Sequence, residues 1–217
     1  EYVADEVYDR YIGNVKKQQI NEGICKGADL KVVYTPLNGT GNKLVRRVLG
    51  EIGVEDIKIV KEQEMPDGNF TTCPYPNPEI KEALQKGLEL CEVEKPDLLL
   101  ATDPDADRVG IAVIDSDGSY RLLTGNETGI MLTDYILSNR KRLGTLPEKP
   151  IIVKTIVTSI MIDRLCEKYG CELKNVLTGF KYIGEVILNL EPANETDRFV
   201  FGFEESYGYL AGSYVRD

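Results

Sequence analysis

The chain predicts an α/β fold, helices layered over mostly parallel sheet, and three observations carry the prediction. Short β-branched runs alternate with stretches of helical apolar spacing along the whole length. Two continuous apolar runs, Leu98-Leu99-Leu100 and Val109-Gly110-Ile111-Ala112-Val113-Ile114, read as buried strands. The polar loops richest in chemistry follow strands, where open α/β sheets place their ligand groups.

Taken in order, residues 5–20 carry Val7, Tyr8, Tyr11, Ile12, Val15 and Ile20 at helical spacing. Residues 30–34 read as a strand, and Thr35-Pro36-Leu37-Asn38-Gly39-Thr40-Gly41 breaks the chain before a helix over 42–52. A strand follows at 57–60, then an irregular connection over 64–77, rich in Pro, Gly and Asn. Pro78 suits the first turn of a helix over 78–93. Strands at 97–101 and 109–114 flank the run Ala101-Thr102-Asp103-Pro104-Asp105-Ala106-Asp107-Arg108. Asp115-Ser116-Asp117-Gly118 is a turn, and the pattern restarts there, so two domains are expected, 1–117 and 118–217. The second half reads as strand 120–123, helix 126–143, loop 144–150, strand 151–153, helix 160–169, strand 171–176, helix 180–190 and strand 198–203. The glycine-rich stretch 204–214 is read as loop.

Composition narrows the chemistry. The 217 residues include no histidine, which removes a Ser-His-Asp triad and the usual zinc sites. A formal net charge of −10 argues against a nucleic-acid surface, though a local basic pocket for a small anion is compatible with it. No apolar run is long enough to cross a membrane. Five cysteines without a Cys-x-x-Cys pair read as reduced thiols of a cytoplasmic protein. An opening on Glu1 rather than Met raises the expectation of a piece of something longer.

Asp103, Asp105 and Asp107 form the densest cluster of candidate ligands. In an extended segment alternate side chains point the same way, and a tight turn at Pro104 would converge them on one ion. Carboxylates favour a hard cation such as Mg²⁺. An EF-hand also begins Asp-x-Asp-x-Asp but then needs Gly and later Glu, where this chain has Arg108 and Ile114. The competing reading is a solvated turn with capping aspartates. Arg108 suits a phosphate, which it can grip with paired hydrogen bonds, or serves as an internal partner for the aspartates.

These residues resemble a known family. Asp103-Pro104-Asp105-Ala106-Asp107-Arg108 is similar to the magnesium loop of the α-D-phosphohexomutases, the phosphoglucomutase and phosphomannomutase group. Three further stretches agree in the family's order. Thr35 to Gly41 resembles its Thr-Pro-Leu-His-Gly-x-Gly turn, with Asn38 where histidine is usual. Thr178-Gly179-Phe180-Lys181 resembles its sugar-discriminating loop, and Gly202-Phe203-Glu204-Glu205-Ser206-Tyr207-Gly208 its sugar-hydroxyl loop.

The resemblance implies two three-layer α/β/α domains, the second and third of four. It implies Mg²⁺ held by Asp103, Asp105 and Asp107, with Arg108 steadying a transferring phosphate. Glu204 and Ser206 would bind sugar hydroxyls, and Thr178 and Gly179 would touch the sugar unless they only cap a helix. Lys154, at a strand end, matches an active-site lysine of the family, or is a solvated strand-end residue. The Thr35 to Gly41 turn is read as structural. The reaction implied is transfer of phosphate between C1 and C6 of a hexose phosphate, through glucose 1,6-bisphosphate and an enzyme phosphoserine. That serine stands in a Thr-x-Ser-His-Asn context, absent from a chain without histidine. It belongs to the first domain, and the phosphate-gripping fourth domain is expected beyond Arg216-Asp217.

Overall fold

The computed structural model describes residues 3–215, so Arg216 and Asp217 lie outside the described residues. The chain divides into two units, 1–123 and 124–217.

The first unit opens with helix α1 (Asp5–Lys16) and continues through β1 (Lys31–Thr35), α2 (Gly41–Ile52) and β2 (Asp56–Ile59). After an irregular stretch come α3 (Gln85–Glu94), β3 (Leu98–Thr102), β4 (Val109–Ile114) and β5 (Tyr120–Leu122). The sheet order is β2-β1-β3-β4-β5. β1 pairs in parallel with β2 and β3, whereas β3–β4 and β4–β5 are antiparallel. The sheet is therefore evenly mixed. β1 lies inside the sheet between β2 and β3 and is buried on both faces, as its Val32-Val33-Tyr34-Thr35 run anticipates. Val33, Leu99, Ala101 and Ala112 share one face with Leu84 and Cys91, and α3 packs over β1 and β3 there.

Three expectations need correcting in this unit. α1 ends at Lys16 rather than near 20, and it buries only Ile12, leaving Val7, Tyr8 and Tyr11 exposed. Pro78 does not start a helix. Asn77 closes a turn instead, its side chain accepting from the Glu79 amide at 3.0 Å and its carbonyl from Ile80 at 3.0 Å. A single turn of 3₁₀ helix (Lys81–Leu84) then leads into α3. Finally, the division falls between Leu123 and Thr124, not at 117/118. The reason is β5, which pairs with β4 across the turn at 115–118 and so finishes the first sheet.

The second unit runs α4 (Gly125–Leu143), β6 (Ile151–Thr155), α5 (Met161–Tyr169), β7 (Glu172–Val176), α6 (Phe180–Leu190), β8 (Phe199–Phe203) and β9 (Tyr209–Ala211). Its sheet order is β7-β6-β8-β9, parallel except for the last pair. Ile151 and Val153 face Ile183 and Ile187 of α6, while α4 lies against β8, as alternation along buried strands requires. α4 begins with a capping box. Thr124 accepts from the Glu127 amide at 3.2 Å and its own amide donates to the Glu127 carboxylate at 2.8 Å. β9 was hidden within the stretch read as loop; its three residues turn 204–208 into the tip of a hairpin. Among the described residues no helix is long and apolar enough to cross a membrane.

Candidate functional site

In the first unit, β3 and β4 form a hairpin whose connection, residues 103–108, carries the three aspartates. The loop is not extended. The Asp103 carbonyl accepts from the Ala106 amide at 3.1 Å, and Ala106 adopts φ 64°. This turn, rather than strand alternation, gathers Asp103, Asp105 and Asp107, each with a carboxylate oxygen within 4.8 Å of the others. Asp103 is buried and the other two are exposed.

Gathering them is electrostatically costly. Burial pushes the Asp103 carboxyl up to about 7, with Asp107 and Asp105 adding to the rise. The Arg108 amide, donating to Asp103 Oδ1 at 3.0 Å, opposes it. The Arg108 guanidinium offers only distant compensation. Its Nε lies 3.9 Å from both Asp103 Oδ2 and Asp107 Oδ1, and its Nη1 lies 3.5 Å from Glu79, a residue the sequence pattern does not mark. Three converging hard oxygen donors, one of them buried, fit a divalent cation that prefers oxygen ligands.

The Thr35 to Gly41 turn holds this loop from beneath. The Thr40 amide and hydroxyl both donate to the Pro104 carbonyl, at 2.8 and 3.1 Å. Gly39 passes so close that a Cβ there would sit 2.3 Å from Pro104 Cα. Tyr34, whose hydroxyl burial pushes up to about 12, bonds Thr102 Oγ1 at 2.8 Å just before the loop. Leu37 and Asn38 both take positive φ, at 46° and 60°. The Asn38 amide group donates to Met65 O at 2.8 Å, and Asn42 to Glu64 O at 2.7 Å. These bonds pin the irregular segment after β2. The turn is a buttress, in keeping with the structural role expected of it.

In the second unit, Glu204 follows β8 and is buried. Its Oε1 accepts the Gly179 amide at 2.7 Å and its Oε2 accepts the Ser206 hydroxyl at 3.1 Å. Three of the expected sugar-loop residues are thus joined through one carboxylate. Gly179 sits at φ 125°, a conformation that favours glycine, and forms the N-cap of α6. No side chain caps that helix, so Thr178 is exposed without the capping role that competed for it.

Lys154 departs from expectation. It lies in β6 but is 4% exposed. Its ammonium donates to Thr158 O and Ser159 O at 3.3 and 3.2 Å and lies 2.9 Å from Asp163 Oδ2. Two hydrogen bonds and one ion pair engage the ammonium, so it clamps the loop after β6 rather than facing solvent. Glu205, not singled out from sequence, completes that clamp. Its Oε2 is 2.8 Å from Thr155 Oγ1 and 3.1 Å from Thr158 Oγ1. Asn126, at the start of α4, accepts the Ser159 amide at 2.8 Å. The adjacent acids Glu204 and Glu205 gave no sequence signal as to which would reach which loop.

Comparison with known proteins identifies the family. Residues 9–117 match the family model for phosphoglucomutase/phosphomannomutase α/β/α domain II, and residues 124–217 that for domain III. A phosphoglucomutase of Staphylococcus epidermidis is 38% identical over 215 residues, covering 99% of this chain. A phosphomannomutase of Mycoplasmoides pirum is 35% identical over 216 residues, covering 100%. The chain spans 38% of the length of each. The fold also matches a solved Thermus thermophilus protein ascribed to the phosphomannomutases, with TM-score 0.73 and 24% identity over 98% of this chain and 43% of that one. The chain belongs to the phosphoglucomutase/phosphomannomutase family, of which it comprises the second and third α/β/α domains.

Proposed function

We propose that this chain supplies the metal loop and the sugar-binding loops of a phosphohexomutase that moves phosphate between C1 and C6 of a hexose phosphate. The observation that carries the reading is the convergence of Asp103, Asp105 and Asp107 within 4.8 Å. These three would hold Mg²⁺, which neutralises charge on a phosphoryl group in transfer. Arg108 is half-exposed and its ion pairs are 3.5 to 3.9 Å long, so it can exchange them for a substrate phosphate at little cost. Glu204 keeps lone pairs beyond those used by Gly179 and Ser206, and these would accept sugar hydroxyls. Ser206 and exposed Thr178 would add hydroxyl contacts, with Gly179 fixing the carboxylate that orients them. Lys154 is given a positioning role, since its ammonium is spent on Asp163 and two loop carbonyls.

The phosphoserine and the phosphate-gripping domain of the family would come from outside these residues. Glucose 1,6-bisphosphate would be the intermediate and the activator. The chain alone is then a phosphosugar- and metal-binding module without turnover, a reading favoured by its covering 38% of its relatives and holding no histidine for the phosphoserine motif. A coupled assay of the parent protein tests the activity. Mg²⁺-dependent conversion of glucose 1-phosphate to glucose 6-phosphate is expected. Inactivity toward every hexose and pentose phosphate tried would overturn the reading.

A further inference from the structure

Away from these loops, Cys166 and Cys171 occupy special places at the end of α5. Gly170 ends the helix in the left-handed region, at φ 73°. The amides of Gly170 and Cys171 both turn back to the Cys166 carbonyl, the latter at 2.9 Å. This is the six-to-one bond of a Schellman motif, which brings the side chains at its two ends into contact. Here both positions are cysteines, one at each end of the turn that the 2.9 Å backbone bond closes. Cys166 is buried and Cys171 is half-exposed.

The surroundings favour reaction at the outer sulfur. Contact with Cys166 holds the Cys171 thiol below its usual range, and Lys141 adds to the effect. Lys141 and Lys168 both lie over the ring of the neighbouring Tyr169, 5.6 and 4.7 Å from its centroid, with Lys168 also paired to Asp134 at 3.2 Å. The other three cysteines show no such pairing: Cys73 and Cys91 are buried, and Cys25 is half-exposed.

We infer that Cys166 and Cys171 form a dithiol site that low-molecular-weight anionic disulfides, of the glutathione class, convert to an internal disulfide. The Cys171 thiolate attacks one sulfur of the small disulfide, forming a mixed disulfide and expelling one small thiolate. Cys166 then gives up its proton to solvent and attacks the Cys171 sulfur, closing the protein disulfide and expelling the second small thiolate. The protein loses two hydrogens and the small disulfide becomes two thiols. The closed loop is short and resists reduction little, so excess small thiol reverses it. The site stands independently of the mutase reading. It sits on the helix whose Asp163, three residues before Cys166, holds the Lys154 ammonium.

Oxidised glutathione added to the full chain, followed by tryptic mapping without reduction, tests the inference. Cleavage after Lys168 puts the two cysteines on different peptides, so the disulfide reads out as a cross-linked pair. The expected result is that pair, lost on adding reduced glutathione. In Cys166→Ala the glutathione adduct should persist on Cys171, and in Cys171→Ser Cys166 should stay unmodified. A wild-type chain that keeps glutathione on Cys171 without cross-linking, or reacts at neither cysteine, overturns the inference whether or not the variants fold.

Discussion

The aspartate loop and the Glu204 loop both follow strands and both carry buried carboxylates, yet they solve the burial of charge in opposite ways. Asp103 faces two other carboxylates, with one backbone amide at 3.0 Å and a guanidinium no nearer than 3.9 Å as compensation. Glu204 is met by a backbone amide at 2.7 Å and a hydroxyl at 3.1 Å, with no acid sharing its hydrogen bonds. On the proposed reading the first arrangement would be completed by an added cation, whereas the second is preorganised by the chain itself. A metal loop should therefore respond strongly to its ion and a sugar loop hardly at all.

The largest expected effect falls on the support beneath the aspartates. Gly39→Ala puts a methyl 2.3 Å from Pro104 Cα, backbone against backbone, where no side chain can move aside. Overpacking of this kind costs about 3 kcal/mol. Urea unfolding should show that loss, and calorimetry should show weakened Mg²⁺ binding as Pro104 is displaced. Next comes the sugar loop. Glu204→Ala leaves the Gly179 amide and Ser206 hydroxyl without their acceptor, a loss of about 2 kcal/mol. Mg²⁺ affinity should not change, and a fall comparable to that of Gly39→Ala would erase the contrast between the loops.

Much of this was legible beforehand. Periodicity placed the helices of the second unit to within a residue or two, since their apolar faces lie on a packed sheet. It overreached for α1, where Val7, Tyr8 and Tyr11 keep helical spacing without being buried. Of the short strands, β5 belongs to the first sheet although the sequence pattern assigns it to the second half, and β9 lies inside a stretch that reads as loop. Three residues carry no mark of their partner; only pairing with β4 and β8 reveals it. Among site residues, the aspartates stood out by density, but the turn that gathers them depends on Ala106 at φ 64°, which alanine does not advertise. The strand-end reading sets Lys154 at the close of a strand, whereas β6 runs past it to Thr155 and buries it. It could not show that Asp163, in the helix that follows, would take the ammonium. Glu205 was invisible for a related reason, since its partners Thr155 and Thr158 are close only in space.

A smaller effect sharpens the contrast from the metal side. Asp105→Asn keeps the shape of the loop and removes one of three charges. Mg²⁺ affinity should drop about tenfold, or ~1.4 kcal/mol. In the absence of metal, the same variant should melt no lower than the parent chain, because it relieves repulsion around Asp103. Calorimetry showing unchanged affinity would favour the reading in which the aspartates only cap the turn. The matching change in the second unit is Thr124→Ala, which removes one half of the capping box at the start of α4. It should cost about 1 kcal/mol in thermal or urea unfolding. It should also leave Mg²⁺ affinity alone, since Thr124 lies in the other unit from the aspartates. If Thr124→Ala weakened metal binding as much as Asp105→Asn, the aspartate loop would not be a site in its own right. Its affinity would then report the folding of the whole chain, and the distinction between a loop awaiting its ion and a loop already satisfied would fail.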